Sequence, residues 1–311
     1  MPEYTGSNLN GKQFSATVQH LSQQKVSRFG DKVRVESVSS AEEAYFNLFS
    51  AEDDPSQDTD RHGDTPYDEY EATRRKVIPY KWEKATIIDK KDVRRMTVDP
   101  QNPVVQSHAM SFNRKMDKII YAAMLGTALQ GKEGGTSVAF KDDSIGINGD
   151  GTLTTLGTAA ANGVEVTMTK AKMLAMMTLF NEGDVDPDID KFWAVSPNDI
   201  KHMLNLTEIA SIDYNTVKAI QQGKVDEFMG FKFFWSNYLD RDVVDGTSTR
   251  TVAWARDGVI CAKIAEMTTK VDILPTKKHS TGIYSEFDLG AVRMEGAKVH
   301  ECLNLVTQTL A

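Results

Sequence analysis

Cysteine is almost missing from this 311-residue chain: there are two, Cys261 and Cys302. So few thiols, so far apart, exclude a disulfide framework and a CxxC redox or metal site. Free cysteines of this kind behave as small buried hydrophobes, and the cytoplasm of the producing cell is the simplest compartment for them. Long apolar runs are missing too; no stretch approaches the roughly 20 residues that a bilayer-spanning helix needs. The start, Met1-Pro-Glu-Tyr-Thr-Gly-Ser-Asn8, lacks the basic segment and apolar stretch of a secretory signal. Positive charge is in deficit. With 36 Lys and Arg against 44 Asp and Glu the formal net charge is −8, and the isoelectric point is about 5.4. Nucleic-acid affinity comes mainly from phosphate neutralisation by a basic stripe. No such stripe stands out, so a chain of this balance is expected to contain nucleic acid rather than grip it.

Catalytic and metal-binding motifs are also wanting. Gly126-Thr-Ala-Leu-Gln-Gly131-Lys132-Glu133 comes near the phosphate-binding pattern G-x-x-x-x-G-K-[ST]. That loop requires a strand before it, a helix after it and a hydroxyl for the metal. Here a helical pattern leads in, more glycines follow, and Glu133 sets a carboxylate where the hydroxyl belongs. Asp184, Asp186, Asp188 and Asp190 alternate as in a calcium loop. The turn glycine is replaced by Ile189, Pro187 stiffens the run, and the twelfth position is Val195 rather than Glu, so a solvated acidic turn is expected. His20, His62, His108, His202, His279 and His300 show no HxxxH or HExxH spacing. No G-x-S-x-G elbow occurs. The reading is of a chain with no catalytic residue, no metal site and no cofactor: not an enzyme.

What is present is ordinary globular material, 40% hydrophobic and 26% charged, enough for one elaborate domain or two simpler ones. The first thirty residues are polar, with a narrow stripe, Phe14, Val18 and Leu21, that cannot form a core alone. Lys32-Val-Arg-Val-Glu-Ser-Val alternates like a half-buried strand, and Tyr45-Phe-Asn-Leu-Phe49 is a second apolar cluster. Between 52 and 71 stand Glu52, Asp53, Asp54, Asp58, Asp60, Asp64, Asp68, Glu69 and Glu71, with Arg61 as the lone cation and Pro55, Gly63 and Pro66 as breakers. A polar stretch of this length is unusual inside a compact domain. Arg74-Arg75-Lys76 and the strand-like Val77-Ile-Pro-Tyr-Lys-Trp82 follow at once. Two strand-like segments around a long polar tip read as an extended β-arm.

Asn102-Pro103 reads as a helix start, with Asn at the cap and Pro at the first position. Behind it Val105, Ala109, Phe112, Met116, Ile119 and Ala123 recur at spacings of four and three, which predicts an amphipathic helix of about seven turns, ended by the Gly-rich 131–135. Residues 136–166 suggest short strands and turns. A second helix is predicted over 169–180, with Met173, Met176, Met177 and Phe180 inward as core filler and Gly183 as the stop. Phe192-Trp-Ala-Val195 reads as a buried strand and Ser196-Pro197 as the cap of a third helix carrying Ile200, Met203 and Leu204. A fourth helix is expected at about 215–222, with strands at 231–235 and 251–255. The tail from Val271 to Val306 suggests alternating strands and turns. Helices and strands interleave throughout, which is an α+β pattern.

Leu21-Ser-Gln-Gln-Lys-Val-Ser-Arg-Phe29, Arg61-His-Gly-Asp-Thr-Pro66 and Arg74-Arg-Lys-Val-Ile-Pro79 resemble the front half of the major capsid proteins of tailed bacteriophages. Ser211-Ile-Asp-Tyr-Asn-Thr-Val-Lys-Ala-Ile220, Gly223 and Val225-Asp-Glu-Phe-Met-Gly-Phe-Lys-Phe233 form a later and more specific block of the same resemblance. It extends in order from about Phe14 to about Val306. It implies the Hong Kong-phage-type capsid fold, shared with herpesvirus capsid floors and encapsulin shells. In that fold 1–36 would be an N-terminal arm. Residues 37–164 would be a peripheral domain with an extended β-hairpin loop at about 44–90 and a long spine helix at about 103–129. Residues 165–268 would be an axial domain, and 269–311 C-terminal strands returning to the peripheral domain.

The resemblance implies a virion shell subunit, assembled in the host cytoplasm into hexamers and pentamers of an icosahedral head around double-stranded DNA. The DNA would be held without sequence-specific contact and with no membrane. Partners would be further copies of the chain, a portal protein, a decoration protein and a scaffolding protein. The last is expected to be separate, because no long scaffold segment precedes the arm. The candidate inter-subunit contacts are Glu52, Asp53, Asp54, Asp64, Asp68 and Glu69 against Arg74, Arg75 or Lys76 of a neighbour, with Phe14, Val18 and Leu21 as an apolar contact. Two rivals are an encapsulin-like nanocompartment shell of the same fold, and a soluble enzyme or binding module, for which no motif survives.

Overall fold

The structure is a computed structural model that describes residues 20–39, 42–50, 54, 57, 67, 69–96, 99–143, 146, 147, 153, 154, 167–205, 227–241 and 248–306. The expected helix at 215–222 and most of the block 211–233 lie outside the described residues, as do Phe14, Val18, Glu52, Asp53, Asp64 and Asp68. In chain order the elements are β1 (Arg34–Ser37), β2 (Ala44–Phe49), β3 (Ala72–Val77), β4 (Tyr80–Ile88), α1 (Lys90–Val93), α2 (Gln101–Leu125), β5 (Ala128–Gln130), β6 (Thr136–Val138), α3 (Phe140–Asp143), β7 (Gly146–Ile147) and β8 (Leu153–Thr154). They continue with α4 (Lys170–Glu182), β9 (Lys191–Val195), α5 (Pro197–Leu204), β10 (Glu227–Phe228), β11 (Phe231–Trp235), β12 (Ser248–Ala255), β13 (Val259–Leu274), β14 (Ser280–Arg293) and β15 (Val299–Leu305). The class is α+β, as expected. Two compact units result: a smaller one of Met1–Val26, Lys81–Arg114 and Ala265–Phe287, and a larger one of Ser27–Tyr80, Lys115–Ile264 and Asp288–Ala311.

The larger unit is built on a seven-stranded mixed sheet in the order β10-β11-β9-β12-β15-β7-β8. Its central strands are apolar on both faces, which is why Phe192-Trp-Ala-Val195 and Val252-Ala-Trp-Ala255 read as continuous runs rather than alternating ones. One face packs Trp193, Val195, Phe231, Phe233 and Ala253 against Met173, Met176, Leu179 and Phe180 of α4 and Met203 of α5. On the other, the Phe29 ring stacks on Trp254, centroids 5.4 Å apart. The helix starts are local. Thr169 accepts from the Lys172 backbone N–H. Ser196 and Asp199 form a reciprocal capping box with Pro197 inside the first turn. Both cysteines are buried and free.

The long helix differs from its expectation in three ways. It begins at Gln101, not at Pro103, because the Asp99 carboxylate accepts the Gln101 N–H at 3.0 Å; Pro103 then falls among the first residues, whose N–H groups need no helical partner. It ends at Leu125 rather than at 131–135. There the buried Arg293 guanidinium donates to the Met124 and Gly126 carbonyls at 2.8 and 2.9 Å, capping the terminus with a cation. Its buried stripe in the second half is Asp117, Ile120, Tyr121 and Met124 rather than Met116, Ile119 and Ala123. Residues 128–138 are thus a β5–β6 hairpin with Gly131 and Gly134 at positive φ, so the phosphate-loop look-alike is a turn. The tail alternates strands and turns as expected, with β13 and β14 running to 16 and 14 residues.

Candidate inter-subunit surfaces

The arm is an antiparallel pair. β2 and β3 run in register from Ala44↔Val77 to Phe49↔Ala72, and the Ser50 N–H reaches the Glu71 carbonyl at 3.0 Å. Strand period two then divides the basic triplet. Arg75 lies opposite Phe46 on the face that packs into the Ala44, Val77, Ala128 and Met294 cluster. It is 4% exposed, and its Nε donates to the Met294 carbonyl at 2.9 Å. Arg74 and Lys76 point the other way. Lys76 pairs with Glu43 of its own chain and sits over the Tyr45 ring. The pairing lowers the Glu43 pKa and raises that of Lys76, chiefly through the hydrogen bond between them. Gly134 is the close neighbour that makes room for the Lys76 side chain: a Cβ there, at φ +71°, would lie 2.3 Å from Lys76 Cδ. Of the three cations proposed to meet a neighbour, Arg75 and Lys76 are therefore engaged within the subunit by polar bonds, and half-buried Arg74 lies 6.0 Å from the Tyr45 ring centroid.

The outer end of the arm carries aromatic surface that charge counting passed over. Phe49 and Tyr70 are each 72% exposed, with ring centroids 6.2 Å apart, and Tyr67 is 91% exposed. Asp54 and Glu69 are exposed beside them in sequence. The signal was legible as aromatics flanking a polar stretch, where a folded core would not need them. Leu21, the described member of the expected apolar stripe, is 91% exposed.

The chain after Leu21 is pinned to α2. Within the smaller unit, the Asn113 side chain donates to the Lys25 carbonyl at 2.8 Å and Arg114 donates to Gln23 at 2.8 Å. Within the larger, the fully buried Asp117 accepts from Ser27 Oγ and from the backbone N–H groups of Arg28 and Phe29.

The smaller unit also holds a Ser–His contact that no motif announced. His108 Nδ1 lies 3.0 Å from Ser285 Oγ, and Nε2 lies 2.8 Å from Thr86 Oγ1. Both Ser285 and His108 are sealed from solvent, at 0% and 1% exposure, so no substrate reaches the hydroxyl, and burial lowers the His108 pKa. The acidic turn behaves as expected of a surface turn: Asp186 accepts the Asp188 N–H at 2.9 Å, and Asp190 pairs with Lys232 at 2.5 Å. A surface cleft of about 680 Å³ beside it is lined by Asp31, Asp190, Asp257 and Arg34, each held by an ion pair of its own.

One basic surface corrects the sequence reading. Lys90-Lys91-Asp-Val-Arg94-Arg95 and Lys277-Lys278-His279 are separate short clusters in the sequence, and neither forms a long basic run. β4 and β14 are neighbours in one sheet, and Ser280 Oγ reaches Asp89 Oδ1 at 3.5 Å, which sets the two segments side by side. Among the described residues no helix is long and apolar enough to cross a membrane.

The chain matches the family model described as phage capsid protein over residues 7–306. No curated protein sequence matches it. Among solved structures, the capsid asymmetric unit of cyanophage Pam1 covers 99% of this chain and 100% of its own, with a TM-score of 0.71 at 13% identity. The capsid of Ralstonia phage GP4 aligns over 100% and 99%, with a TM-score of 0.69 at 11% identity. The capsid of cyanophage P-SCSP1u aligns over 95% and 93%, with a TM-score of 0.69 at 13% identity. At these identities the likeness is one of fold.

Proposed function

The chain belongs to the phage capsid protein family, a structural shell subunit of the virion capsid, and on that premise we propose that copies of it close into hexamers and pentamers of an icosahedral head around double-stranded DNA. The observation that carries this reading is the arm. A two-stranded ribbon that ends in exposed Phe49 and Tyr70 and leads into nine carboxylates has surface suited to burial on a neighbour. In a closed shell the contact is heterologous, the arm of one subunit meeting a different surface of the next. Exposed ion pairs contribute about 0–1 kcal/mol each. Aromatic anchors in a desolvated pocket contribute about 2 kcal/mol or more, so Phe49 and Tyr70 supply adhesion and the acidic segment supplies register.

In the same reading 1–36 is the N-terminal arm, 37–164 and 269–311 the peripheral domain with its extended loop, and 165–268 the axial domain. A separate scaffolding protein, a portal and a decoration protein are the further partners, and DNA is enclosed without sequence-specific contact. The test is expression of the chain alone and with the other head genes, followed by size-exclusion chromatography and electron microscopy. Hollow isometric particles with fivefold and sixfold clusters support the reading. A stable monomer under every assembly condition sinks it.

A further inference from the structure

The chain is net acidic, yet Lys90, Lys91, Arg94, Arg95, Lys277 and Lys278 are all exposed on the smaller unit, and none is in an ion pair among the described residues. By sequence, 89–95 and 277–279 together hold six Lys and Arg against two Asp, a formal +4 in a chain whose total is −8. Two separate pieces of chain build the patch. One follows β4, where Asp89 accepts the Lys91 N–H at 3.4 Å. The other is the β13–β14 connection, brought alongside by the Ser280–Asp89 contact. That connection is held in an uncommon form: Lys278 and His279 are consecutive non-glycine residues at φ 53° and 55°, a left-handed conformation that L side chains adopt at a cost.

We propose that this patch is the docking site for the acidic 52–71 segment of a second copy of the chain, which deepens the shell reading above and rests on it. Charge complementarity carries the argument. The segment holds nine carboxylates and one Arg, and two of the three cations at its own base are already taken, Arg75 by the Met294 carbonyl and Lys76 by Glu43. Each subunit brings one acidic segment and one basic patch, so a head-to-tail ring matches every segment to a patch. Phosphates of enclosed DNA would also suit six cations. That occupant, however, would not answer the charge of the acidic segment, which holds nine carboxylates against one Arg. Individual exposed pairs are weak and screened by salt, so the contact acts through its repetition around the shell.

Carbodiimide joins carboxylates to amines only where they touch. Shells assembled from an equal mixture of nitrogen-15-labelled and unlabelled wild-type subunits should give mixed-label peptides that join a carboxylate of 52–71 to Lys90, Lys91, Lys277 or Lys278. Two charge reversals extend this: Lys277→Glu with Lys278→Glu on the patch, and Asp53→Lys with Asp54→Lys on the segment. Each alone should lower shell yield about tenfold or more, and the combination should return it to within about twofold. Wild-type shells without arm-to-patch peptides, together with no rescue by the combination, overturn the proposal. Patch-reversed shells that form in normal yield but hold less DNA overturn it in favour of phosphate as the occupant. If wild-type subunits form no shell at all, it is the shell reading that fails, and the docking site with it.

Discussion

The Asp117 carboxylate accepts the Ser27 hydroxyl at 2.5 Å and the Arg28 and Phe29 backbone N–H groups at 3.1 and 3.2 Å. A single buried acid on α2 thereby ties down the segment that delivers Phe29 to Trp254. Hydrogen bonds to a charged group contribute about 1.5–3 kcal/mol, and stranding buried donors adds to the loss. Asp117→Ala should therefore cost about 2–4 kcal/mol in urea unfolding of the unassembled subunit, with faster tryptic cleavage after Lys25 and Arg28. An unchanged urea midpoint would refute the anchoring role.

Arg74 and Arg75 are neighbours in sequence with opposite roles. Arg75→Ala removes a buried guanidinium and its bond to Met294, and should destabilise the subunit by about 2–3 kcal/mol. Arg74→Ala, at a half-buried position with the guanidinium 6.0 Å from the Tyr45 ring centroid, should cost less, within about 1 kcal/mol. Thermal or urea unfolding of the pair decides this, and equal losses would contradict the strand register.

Phe49→Ala and Tyr70→Ala should leave subunit stability nearly unchanged but raise the critical concentration for assembly about thirtyfold each, equivalent to about 2 kcal/mol per contact. Light scattering against subunit concentration measures it. Unaltered assembly would remove the aromatics from the interface.

His108 is held neutral by burial, which sets its folded-state pKa below 6.5. A base with a depressed folded pKa contributes stability that is present above its unfolded pKa and is lost as pH falls through the folded value. Unfolding free energy of the subunit should thus decline as pH drops below about 6.5, and His108→Gln should flatten that limb. Equal slopes for both proteins would exclude His108 as the cause.

Burial pushes the Cys261 thiol up to about 11 and Cys302 up to about 12. Since the thiolate is the reactive form, a colorimetric disulfide reagent at pH 8 should find no fast thiol in the native subunit and both in denaturant. A fast native reaction would mean that one of them is reachable.

The sequence by itself determined the features that depend on neighbours along the chain. Period and capping residues located α4 after Thr169, α5 after Ser196, the apolar strands at 192–195 and 252–255, and the first arm strand at 44–49; the second was expected at 77–82, but pairing with β2 places it at 72–77, with the basic triplet inside it. The resemblance in the residues pointed to the shell family. Long-range contacts decided the rest. Arg293, far away in sequence, ends the long helix at Leu125; Asp117 draws its buried stripe one position over; pairing with β2 sends Arg75 inward while Arg74 stays out. The basic patch exists because β4 lies beside β14, which sets Asp89–Arg95 against the 277–279 turn. Local preference amounts to tenths of a kcal/mol per residue, whereas a buried charge demands a partner at a cost of several. The partner that satisfies it is chosen by the fold, not by proximity along the chain.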